Sequence, residues 1–406
     1  MPCTPPTQLL VFASTPPPLH GQSVMVQALL EGLPTIAPDL ILHHVNPQLS
    51  RDAADIGRWR WGKLRSLLRA CFEARRIRRE HGPMTLYYVP APGRRAALWR
   101  DWLVMLFCRR RFEKLVLHWH GVGLGSWLAS EATALERWIC RRLLGRADLS
   151  IVLAPELVAD AQALAPKRVA IVPNGIEAAP IDDRRSPIGA TDGADKAAFG
   201  DEAASDRDGA RRSAIGNQNS TVEKPKSAVT RVLFLGLCSR EKGLFDTLTA
   251  IALANQRVPG GFRLTVAGGC ASAREEQAFR AGARALGRDV VRYVGFADAA
   301  QKRVLLDDAD VFCFPTFYPH EGQPLTLIEA MAHDVPIVTT RWRAIPSMLP
   351  SANVWLVDPH QPEQIANALV TARNAPPPAG ELRAHYLAHF TRERHLAALA
   401  AALAHR

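Results

Sequence analysis

The stretch VFCFPTFYPHEGQPLTLIEAMAHDVPIVTT, residues 311–340, decides the fold because it joins a strand, a loop, a helix and a second strand. Val311–Phe314 is a short run of apolar residues that favour strands, and residues 315–323 hold two prolines and a glycine that favour a loop. Pro324 suits the first position of a helix, since its missing N–H would have no partner there. The pattern predicts a helix from Pro324 to about Ala332 with a broad apolar face.

Two glutamates flank the start of this predicted helix. Glu321 lies in the loop before it, and Glu329 lies within it, eight residues later. A helix N-terminus presents unpaired N–H groups and partial positive charge, so this junction is suited to bind phosphate. The spacing places Glu321 where a sugar can meet it and Glu329 about two turns deeper, where it can accept hydrogen bonds from ribose hydroxyls. The alternative is that both are solvated surface acids.

The segment EGQPLTLIEAMAHDVPIV resembles the signature of the retaining glycosyltransferases of family 4. Members of that family have the GT-B fold, in which two Rossmann-like domains face each other across a cleft. The resemblance implies that Glu321 contacts the sugar of a nucleotide-sugar donor and that Glu329 contacts its ribose. Asp334 stands where the family has a helix-ending glycine, and Asp tolerates the left-handed conformation needed there. Four more expected donor-binding residues lie between the glutamates: Gly322, Gln323, Pro324 and Leu325.

Length and composition indicate a two-domain globular protein. A chain of 406 residues is too long for one core, and 48% hydrophobic with 22% charged residues is typical of globular proteins. Seven cysteines occur without a CxxC or other metal-ligand spacing, which favours a reducing cytosol and predicts no structural metal.

Neither a signal peptide nor a membrane span is predicted. The first residues lack a basic segment and are interrupted by prolines. The apolar run at 96–108 is too short to span a bilayer and contains Arg100 and Asp101. We therefore expect a cytoplasmic protein, soluble or peripheral at the inner face of the membrane.

Strand-like and helical runs alternate from residue 8 onward, with candidate strands at 8–13, 40–47, 85–92 and 115–123. This alternation predicts an α/β protein with doubly wound parallel sheets, whose ligands bind at the carboxyl ends of the strands. The loop after the first strand lacks a GxGxxG fingerprint, so NAD binding is not predicted. Gly21 in that loop matches a glycine that the family has near the donor phosphates, although it could equally be a turn glycine.

The fourth candidate strand ends in HWHG, residues 118–121. A histidine at a strand end is most often a structural group. HWHG resembles the family's strand ending in a histidine that approaches the donor sugar and the reaction centre. His120, directly before Gly121, matches that position, and His118, on the same side by the period of two, is the second choice. The following GVGLG lacks the third glycine and the acid of a dinucleotide loop, so no nucleotide site is predicted there.

Composition and resemblance together predict the domain boundaries. PNGIE at 173–177 resembles the family's junction after the first domain, and residues 178–228 are poor in large apolar residues, which predicts a disordered linker. We expect a Rossmann-like acceptor-side domain at 1–177 and a Rossmann-like nucleotide-sugar donor domain at 229–375. The helices at 381–406 are expected to pack back on the first domain.

The second domain begins with RVLFLGLCSREKGLFD. A lysine in a glycine-containing loop ahead of a helix is suited to bind a diphosphate, although a solvated lysine is the commoner case. The stretch resembles the family's Gly-Arg-x-x-x-x-Lys-Gly, whose Arg and Lys hold the donor's β-phosphate. Lys242 and Gly243 match it, whereas Leu237 stands where the Arg is expected, and Arg240 is a candidate substitute.

Five landmarks thus occur in family order: the Gly21 loop, HWHG, PNGIE, EKG and the segment with two glutamates. Gly268 adds a glycine where the nucleotide base passes close to the backbone in the family. The resemblance implies a retaining glycosyltransferase that moves a sugar from a nucleotide-diphosphate sugar to an acceptor hydroxyl, without a cofactor or an essential metal. The expected acceptor is a glycan or lipid-linked glycan of surface polysaccharide or glycolipid biosynthesis. The expected catalytic residues are His120, Glu321 and Lys242.

Two other functions remain open from the sequence. A basic nucleic-acid-binding protein would explain the net charge of +11 but not the two glutamates and the lysine, so nucleic acid is not the expected partner. A GT-B relative without activity, acting as a binding subunit, has only Leu237 in its support.

The basic residues are concentrated in two stretches. Residues 58–79 hold nine Lys and Arg against the single acid Glu73, and more arginines follow at 94–111. A helix in 61–79 would have the composition of an interfacial helix, which predicts peripheral binding to an anionic membrane. The alternative is that its apolar stripe packs on the sheet and only the arginines are exposed. The stripe expected to enter the membrane consists of Trp61, Leu64, Leu68, Cys71 and Phe72.

Overall fold

Two six-stranded parallel sheets form the framework of the computed structural model, which describes residues 7–17, 19–47, 61–177, 229–374 and 378–404. The predicted linker at 178–228 and residues 58–60 lie outside the described residues. We call residues 7–177 the first half and residues 229–374 the second half. The described parts of both halves belong to one unit by their mutual contacts.

The first sheet has the strand order β2-β1-β3-β4-β5-β6, and the second has the order β12-β11-β10-β7-β8-β9. The strands of the first sheet are β1 (Thr7–Phe12), β2 (Leu40–Val45), β3 (Thr85–Tyr88), β4 (Lys114–His118), β5 (Leu149–Val152) and β6 (Val169–Ile171). Those of the second are β7 (Thr230–Leu235), β8 (Phe262–Ala267), β9 (Val291–Gly295), β10 (Val311–Phe314), β11 (Ile337–Thr340) and β12 (Val354–Val357).

Helices connect consecutive strands and cover both faces of each sheet. In the first half they are α1 (Gly21–Ile36), α2 (Trp61–His81), α3 (Arg95–Cys108), α4 (Leu124–Ser130), α5 (Ala134–Leu143) and α6 (Val158–Gln162). In the second half they are α7 (Leu244–Arg257), α8 (Ala273–Leu286), α9 (Ala299–Asp308), α10 (Leu325–Ala332), α11 (Ile345–Met348) and α12 (Pro362–Asn374), and the chain ends with α13 (Glu381–His389) and α14 (Arg392–Ala404).

The predicted fold class, α/β with two doubly wound Rossmann-like parallel sheets, is confirmed. Strands such as β5 and β10 are buried along their whole length because helices cover both faces of a parallel sheet. This burial explains why these strands read in the sequence as continuous apolar runs rather than as alternating ones.

α5 begins at Ala134, because Thr133 and Glu136 form a capping box at its start. The start of α10 differs from the prediction by one residue. Pro324 is the N-cap of α10 with an extended ψ of 119°, and so it precedes the helix.

The order of the second sheet changes direction at β7, which lies between β10 and β8. The loops after β7 and β10 therefore leave the sheet side by side and connect to helices on opposite faces, opening a crevice at the carboxyl ends of the strands. Lys242 follows β7 and Glu321 follows β10. This topology brings together two residues that are far apart in the sequence.

The two C-terminal helices pack on different halves. Leu382 and Tyr386 of α13 are fully buried in the core of the second half, where α13 packs on α10. The next helix, α14, packs on α1 of the first half, and a Cβ atom at Gly32 would lie 2.3 Å from Cδ1 of Leu396. Gly32 therefore permits the close approach of α14.

Asp101 ties α3 to the loop after β3. Its carboxylate is fully buried and accepts hydrogen bonds from the Tyr88 hydroxyl at 2.7 Å, the Ala91 N–H at 2.6 Å and Nε of Arg100 at 2.9 Å. The run at 96–108 is thus a helix of the first half, and among the described helices none has both the length and the apolarity needed to cross a bilayer.

We expect Asp101→Ala to lower the free energy of unfolding by about 3–5 kcal/mol, because it leaves buried donors and the Arg100 cation without their partner. Urea unfolding followed by circular dichroism measures the change. Glu113→Gln, at a side chain 57% exposed, is the matched control and should stay near zero. A loss below about 1 kcal/mol for Asp101→Ala would contradict this role.

Candidate functional site

The loop after β7 carries Lys242 and reaches the crevice because Gly243 allows a close backbone approach. Gly243 has φ = +81°, and a Cβ atom there would lie 2.2 Å from the carbonyl oxygen of Pro315. No other residue type fits both conditions. Gly243 therefore fixes how this loop packs on the loop after β10, and α7 begins at the next residue.

Lys242 and Glu321 meet in the crevice. Nζ of Lys242 lies 2.6 Å from Oε2 of Glu321, and the hydroxyl of Thr316 donates to the same oxygen at 2.9 Å. The two charged side chains are 16% and 9% exposed. Glu321 is therefore not the solvated loop acid of the alternative interpretation.

Tyr318 forms a second wall for the lysine, since Nζ of Lys242 lies 4.5 Å from the centroid of its ring. An ammonium group at this distance is attracted to the negative face of the ring. Sequence reasoning missed Tyr318 because the family motif begins at Glu321. The available signal was an aromatic residue in a loop beside a candidate phosphate-binding lysine.

Glu329 has one carboxylate oxygen paired and one open. Oε1 accepts a hydrogen bond from Nζ of Lys302 on α9 at 2.7 Å. Oε2 is buried and has no hydrogen-bond partner within the described ranges. A buried acceptor without a partner is costly, so this oxygen is suited to receive a ligand hydroxyl. Lys302 was also missed, since only the tertiary fold places it beside α10.

The N-terminus of α10 opens at the same crevice. Pro324 as N-cap provides no side-chain hydrogen bond to the first turn, which leaves the positive end of the helix available to a ligand. Gly21, the first residue of α1, faces this end from the first half, and a Cβ atom there would lie 3.6 Å from Cδ1 of Leu325. The structure thus brings Gly21 and Leu325 together, as two parts of the predicted donor site.

Histidines gather at the carboxyl end of β4. His118 is buried, its Nδ1 is hydrogen-bonded to the hydroxyl of Tyr87, and its ring centroid lies 4.3 Å from that of His120. His395, from α14, lies 6.4 Å from His118, ring to ring, and its Nδ1 donates to the carbonyl oxygen of Pro173 at 2.7 Å. No sequence pattern marked His395, because its position depends on the packing of α14.

These histidines are neutral at pH 7. Burial lowers the pKa of His120 to about 3, with a further contribution from the neighbouring His395 and His20. Burial, His120 and His395 lower the pKa of His118 well below its ordinary value, and burial also lowers the pKa of His395. His118 and His395 are buried, so His120, which is half-buried, is the member of this cluster that can offer a neutral imidazole to a ligand in the crevice.

The segment 320–323 joins the two halves. A Cβ atom at Gly322 would lie 2.5 Å from the carbonyl oxygen of His120, so the segment packs directly on the strand-end histidine. The side-chain oxygen of Gln323 accepts from the N–H of Asn174 at 2.6 Å, and Nδ2 of Asn174 donates to the carbonyl of Gln323 at 3.2 Å. The predicted catalytic residues Glu321 and His120 are thus held on facing surfaces.

Arg240 makes a different contact from the one expected. Its guanidinium carbon lies 4.6 Å from the ring centroid of Phe245 in α7, and its backbone N–H donates to Glu275. Leu237, where the family has an Arg, is 43% exposed. Within the described residues, neither of these contacts joins Arg240 to Lys242 or Glu321.

Gly268 has a structural reason of its own. Its φ is +141°, and a Cβ atom would lie 1.8 Å from the carbonyl oxygen of Gly236. The glycine lets the ends of β7 and β8 approach each other, and its carbonyl oxygen accepts from the hydroxyl of Tyr293 at 2.9 Å. The packing of β7 against β8 therefore explains why this position is a glycine.

In the GVGLG loop of the first half, the backbone N–H groups already have a hydrogen-bond acceptor within the protein. Asp160 accepts hydrogen bonds from the N–H groups of Gly123, Leu124 and Gly125 at 3.0, 3.2 and 2.5 Å. A carboxylate thus takes the place that a phosphate would need, in agreement with the exclusion of this loop. Across the described residues, no group of three or more His, Cys, Asp or Glu is arranged to hold a metal ion.

Sequence comparison connects the second half to known enzymes. Residues 229–374 match the family described as glycosyl transferases group 1. A putative colanic acid biosynthesis glycosyltransferase of Salmonella typhimurium is 38% identical over 86 residues, 20% of each chain. An amylovoran biosynthesis glycosyltransferase of Erwinia amylovora is 30% identical over 145 residues, 34% of each chain. The chain thus aligns with a fifth to a third of the length of these relatives.

Structural comparison covers nearly the whole chain. A sucrose-phosphate synthase from Thermosynechococcus elongatus superposes with a TM-score of 0.67 at 18% identity, over 96% of each chain. Anabaena HepE in complex with UDP and glucose superposes with a TM-score of 0.63 at 14% identity, over 97% of this chain and 99% of the other. At these identities the likeness shows the fold, and that fold is GT-B.

The neutral histidines predict a pH dependence of stability. His120 has an unfolded pKa near 6.5 and a folded pKa of about 3, so between these values the unfolded state binds more protons and the free energy of unfolding falls as the pH falls. We expect the loss that is due to His120 to reach about 2 kcal/mol at pH 5.

Urea unfolding of wild type and His120→Asn at pH 7 and pH 5 measures this loss, which the variant should lack. His360→Asn, at a side chain 65% exposed, is the control and should follow wild type. Equal losses in wild type and His120→Asn would contradict the neutral state of His120.

Proposed function

We propose that this protein is a retaining glycosyltransferase of the family 4 type, which transfers a sugar from a nucleotide-diphosphate sugar to an acceptor hydroxyl. The observation that carries the proposal is the meeting of Lys242 and Glu321 where the strand order of the second sheet reverses. His120 of the first half lies opposite, next to Gly322. The glycosyl transferases group 1 match over 229–374 supports the same function.

The donor diphosphate binds between Lys242 and the N-terminus of α10. Both provide positive charge, one as an ammonium group and the other as backbone N–H groups, and together they do the work of a metal ion in other transferases. In this assignment Arg240 is a second ligand of the diphosphate only if its guanidinium moves away from the ring of Phe245. No cofactor and no essential metal take part.

The nucleoside lies deeper along α10. Oε2 of Glu329, buried and without a partner among the described residues, accepts the hydrogen bond of a ribose hydroxyl while Lys302 holds Oε1. The base is assigned to the crevice edge at Gly268 on the resemblance to the family alone, since the carbonyl of Gly236 fills the space that a Cβ atom of Gly268 would take. Gln323 and Pro324 hold the junction at which the sugar and the diphosphate meet.

Donor binding exchanges the partners of the ion pair. In the structure Glu321 neutralises Lys242, so neither charge is left uncompensated in the crevice. When the donor binds, sugar hydroxyls donate to Glu321 and a phosphate oxygen takes Lys242. Each buried charge then keeps a partner, and the exchange favours ligands that carry both groups at the right distance.

Transfer then proceeds on one face of the sugar. The bond between the anomeric carbon and the β-phosphate oxygen breaks, and the acceptor oxygen forms the new bond from the same side. Attack from the same side retains the anomeric configuration, and no carboxylate nucleophile is needed. The acceptor proton passes to the departing phosphate oxygen. Lys242 and α10 stabilise the charge on the departing diphosphate, and the neutral His120 can hydrogen-bond the sugar.

Names of related proteins support the substrate classes. Relatives in colanic acid and amylovoran biosynthesis favour a glycan or lipid-linked glycan acceptor. A GT-B neighbour with bound UDP and glucose favours a nucleotide-sugar donor.

Replacing Lys242 tests the assignment of the diphosphate site. We expect Lys242→Ala to reduce turnover on the order of a hundredfold or more, since one preorganised charge is lost from the leaving-group site. The assay measures the release of nucleoside diphosphate from the accepted nucleotide sugar, and nuclear magnetic resonance of the product reports its anomeric configuration.

Lys167→Ala is the matched control, because Lys167 also pairs with a carboxylate at 2.7 Å but lies on the surface of the first half. It should keep wild-type turnover. A folded Lys242→Ala variant with near-normal turnover would remove this lysine from the site, and an inverted product would exclude the retaining mechanism.

A surface formed by α2, α3 and α5 supports the proposal that the protein binds peripherally to a membrane. These helices pack side by side, and they carry five of the thirteen exposed large hydrophobic side chains in the described ranges. The five are Phe72, Trp99, Leu106, Leu135 and Trp138, each 56–68% exposed. Such side chains beside arginines are typical of proteins that enter the headgroup region.

The arginines of this surface line an open groove of about 540 Å³ between α2 and α3, together with Leu106 and Phe107. The basic members of the lining are Arg75, Arg110 and Arg111. Cations around apolar side chains fit the anionic headgroups and acyl boundary of a bilayer, and each contributes about 1 kcal/mol near an anionic leaflet. The inner face of the membrane is therefore the proposed place of work.

The proposed membrane surface differs from the stripe expected on α2. Of that stripe, Cys71 is fully buried in the core of the first half and Leu64 and Leu68 are half-buried, in line with the alternative that the stripe packs on the sheet. Phe72 remains exposed. Arg100 pairs with the buried Asp101 and is not part of the basic surface.

Vesicle co-sedimentation tests the membrane proposal. We expect binding to vesicles with anionic lipid at low salt, weakened by salt and reduced at least severalfold in the variant Trp99→Ser/Leu106→Ser. Phe296→Ser, which changes a side chain 62% exposed in the second half, is the control and should bind like wild type. Equal, negligible binding to neutral and anionic vesicles at low salt would contradict the membrane proposal. Binding to nucleic acid without binding to vesicles would also contradict it.

A further inference from the structure

We infer that His320 is a positioning residue: it fixes the loop that carries Glu321 against the first half, in a neutral tautomer held by Arg94. This inference rests on the proposed function and adds two residues that the sequence motifs did not include. Neither residue is assigned contact with the substrate.

Contacts alternate along the segment around Glu321. His320, Gly322 and Gln323 all contact the first half, whereas the carboxylate of Glu321 turns to Lys242 of the second half. A rotation of the loop away from the first half would therefore move Glu321 relative to the sugar. His320 is the neighbour whose side chain makes that connection on the N-terminal side.

The hydrogen bonds of His320 define its tautomer. Nδ1 lies 2.9 Å from the carbonyl oxygen of Val122, which can only accept, so Nδ1 carries the proton. Nε of Arg94 donates to Nε2 at 2.8 Å, so Nε2 must have its lone pair. Both partners belong to the first half, and only the neutral Nδ1–H form satisfies both.

The backbone reinforces the contact. The N–H of Val122 lies 3.4 Å from the carbonyl oxygen of His320, and a Cβ atom at Gly123 would lie 3.2 Å from Nδ1. Gly123 thus leaves the space in which the imidazole sits. The N–H of Glu321 donates to the carbonyl of Tyr318 at 3.0 Å and closes a tight turn. Because His320 lies within this turn, a displacement of His320 also displaces Glu321.

Cations surround the imidazole. Burial is the main cause that lowers the pKa of His320 from its ordinary value. Arg94 and Arg343 also lower this pKa, while the hydrogen bond to the Val122 carbonyl and the charge of Glu241 raise it. The ring of Tyr318 lies beside it at 5.6 Å, with the guanidinium of Arg94 5.7 Å from that ring. Protonation of Nε2 would remove the acceptor for Arg94 and place two cations in contact.

Steady-state kinetics of His320→Ala and Arg94→Ala test the positioning role. We expect kcat to fall on the order of ten- to a hundredfold in His320→Ala, because displacements of about 1 Å cost this much, with the KM for the donor changed less than about threefold. Arg94→Ala should show a smaller fall of the same kind. We expect protonation of His320 to lower the kcat of wild type at acid pH, because Nε2 then no longer accepts from Arg94, and this acid limb should be lost or shifted in both variants.

Arg343→Ala is the matched control, since Arg343 donates to Pro319 of the same loop but belongs to the second half. It should retain wild-type kcat. Melting temperatures of all variants separate a loss of fold from a loss of position. Unchanged kcat and pH profile in folded His320→Ala would overturn the inference, and so would equal loss in Arg343→Ala.

A measurement without turnover separates this inference from the proposed function. Nitrogen-15 resonance of histidine-labelled full-length protein, assigned with His320→Gln, should show the neutral Nδ1–H tautomer of His320 at pH 7 and a changed Nε2 shift in Arg94→Ala, where Nε2 loses its donor. An Nε2–H tautomer or an imidazolium at pH 7 overturns the inference even in an active enzyme. A wild-type protein that turns over no nucleotide sugar but shows the Nδ1–H form overturns the proposed function and with it the assignment to catalysis.

Discussion

The ion pair of Lys242 and Glu321 is the interaction on which the arrangement of the crevice depends. Removing two charged groups from water costs several kcal/mol of free energy. Their attraction at 2.6 Å offsets part of this cost, and only while the two groups stay together. The pair requires two loops from adjacent strands at one point, a backbone approach that Gly243 alone allows, and a hydroxyl from Thr316. An apolar pair would pack there at less cost, so the charges are better explained by a ligand than by stability.

The same constraint connects the two halves. Glu321 is held from one side by Lys242 and from the other by neighbours that contact the first half, through Gly322 at His120 and Gln323 at Asn174. Lys242, Gly322 and Gln323 are each held by their own contacts, and together they restrict the position of the Glu321 carboxylate. A site built in this way is preorganised for a ligand that reaches both halves, because little entropy is left to be lost when the ligand binds.

Much of this could be predicted from the sequence because the signals are local. Continuous apolar runs predict buried parallel strands, and a loop with two prolines and a glycine before an apolar run predicts the junction at which α10 begins. The start of α5 was also predictable, since Thr133 followed by Glu136 is a capping box. The partners of these residues were not predictable. Lys302, Tyr318 and His395 come from elements whose positions depend on how helices pack, and no local pattern marks them.

The central claim is that the crevice binds a nucleotide sugar, and thermal unfolding with a panel of nucleotide sugars and nucleoside diphosphates tests it most directly. We predict that one nucleotide class raises the melting temperature of wild type, since ligand at a hundred times its Kd adds about 2.7 kcal/mol to the free energy of unfolding, and that Lys242→Ala loses most of the shift. A folded wild-type protein whose melting temperature no member of the panel changes would contradict the account.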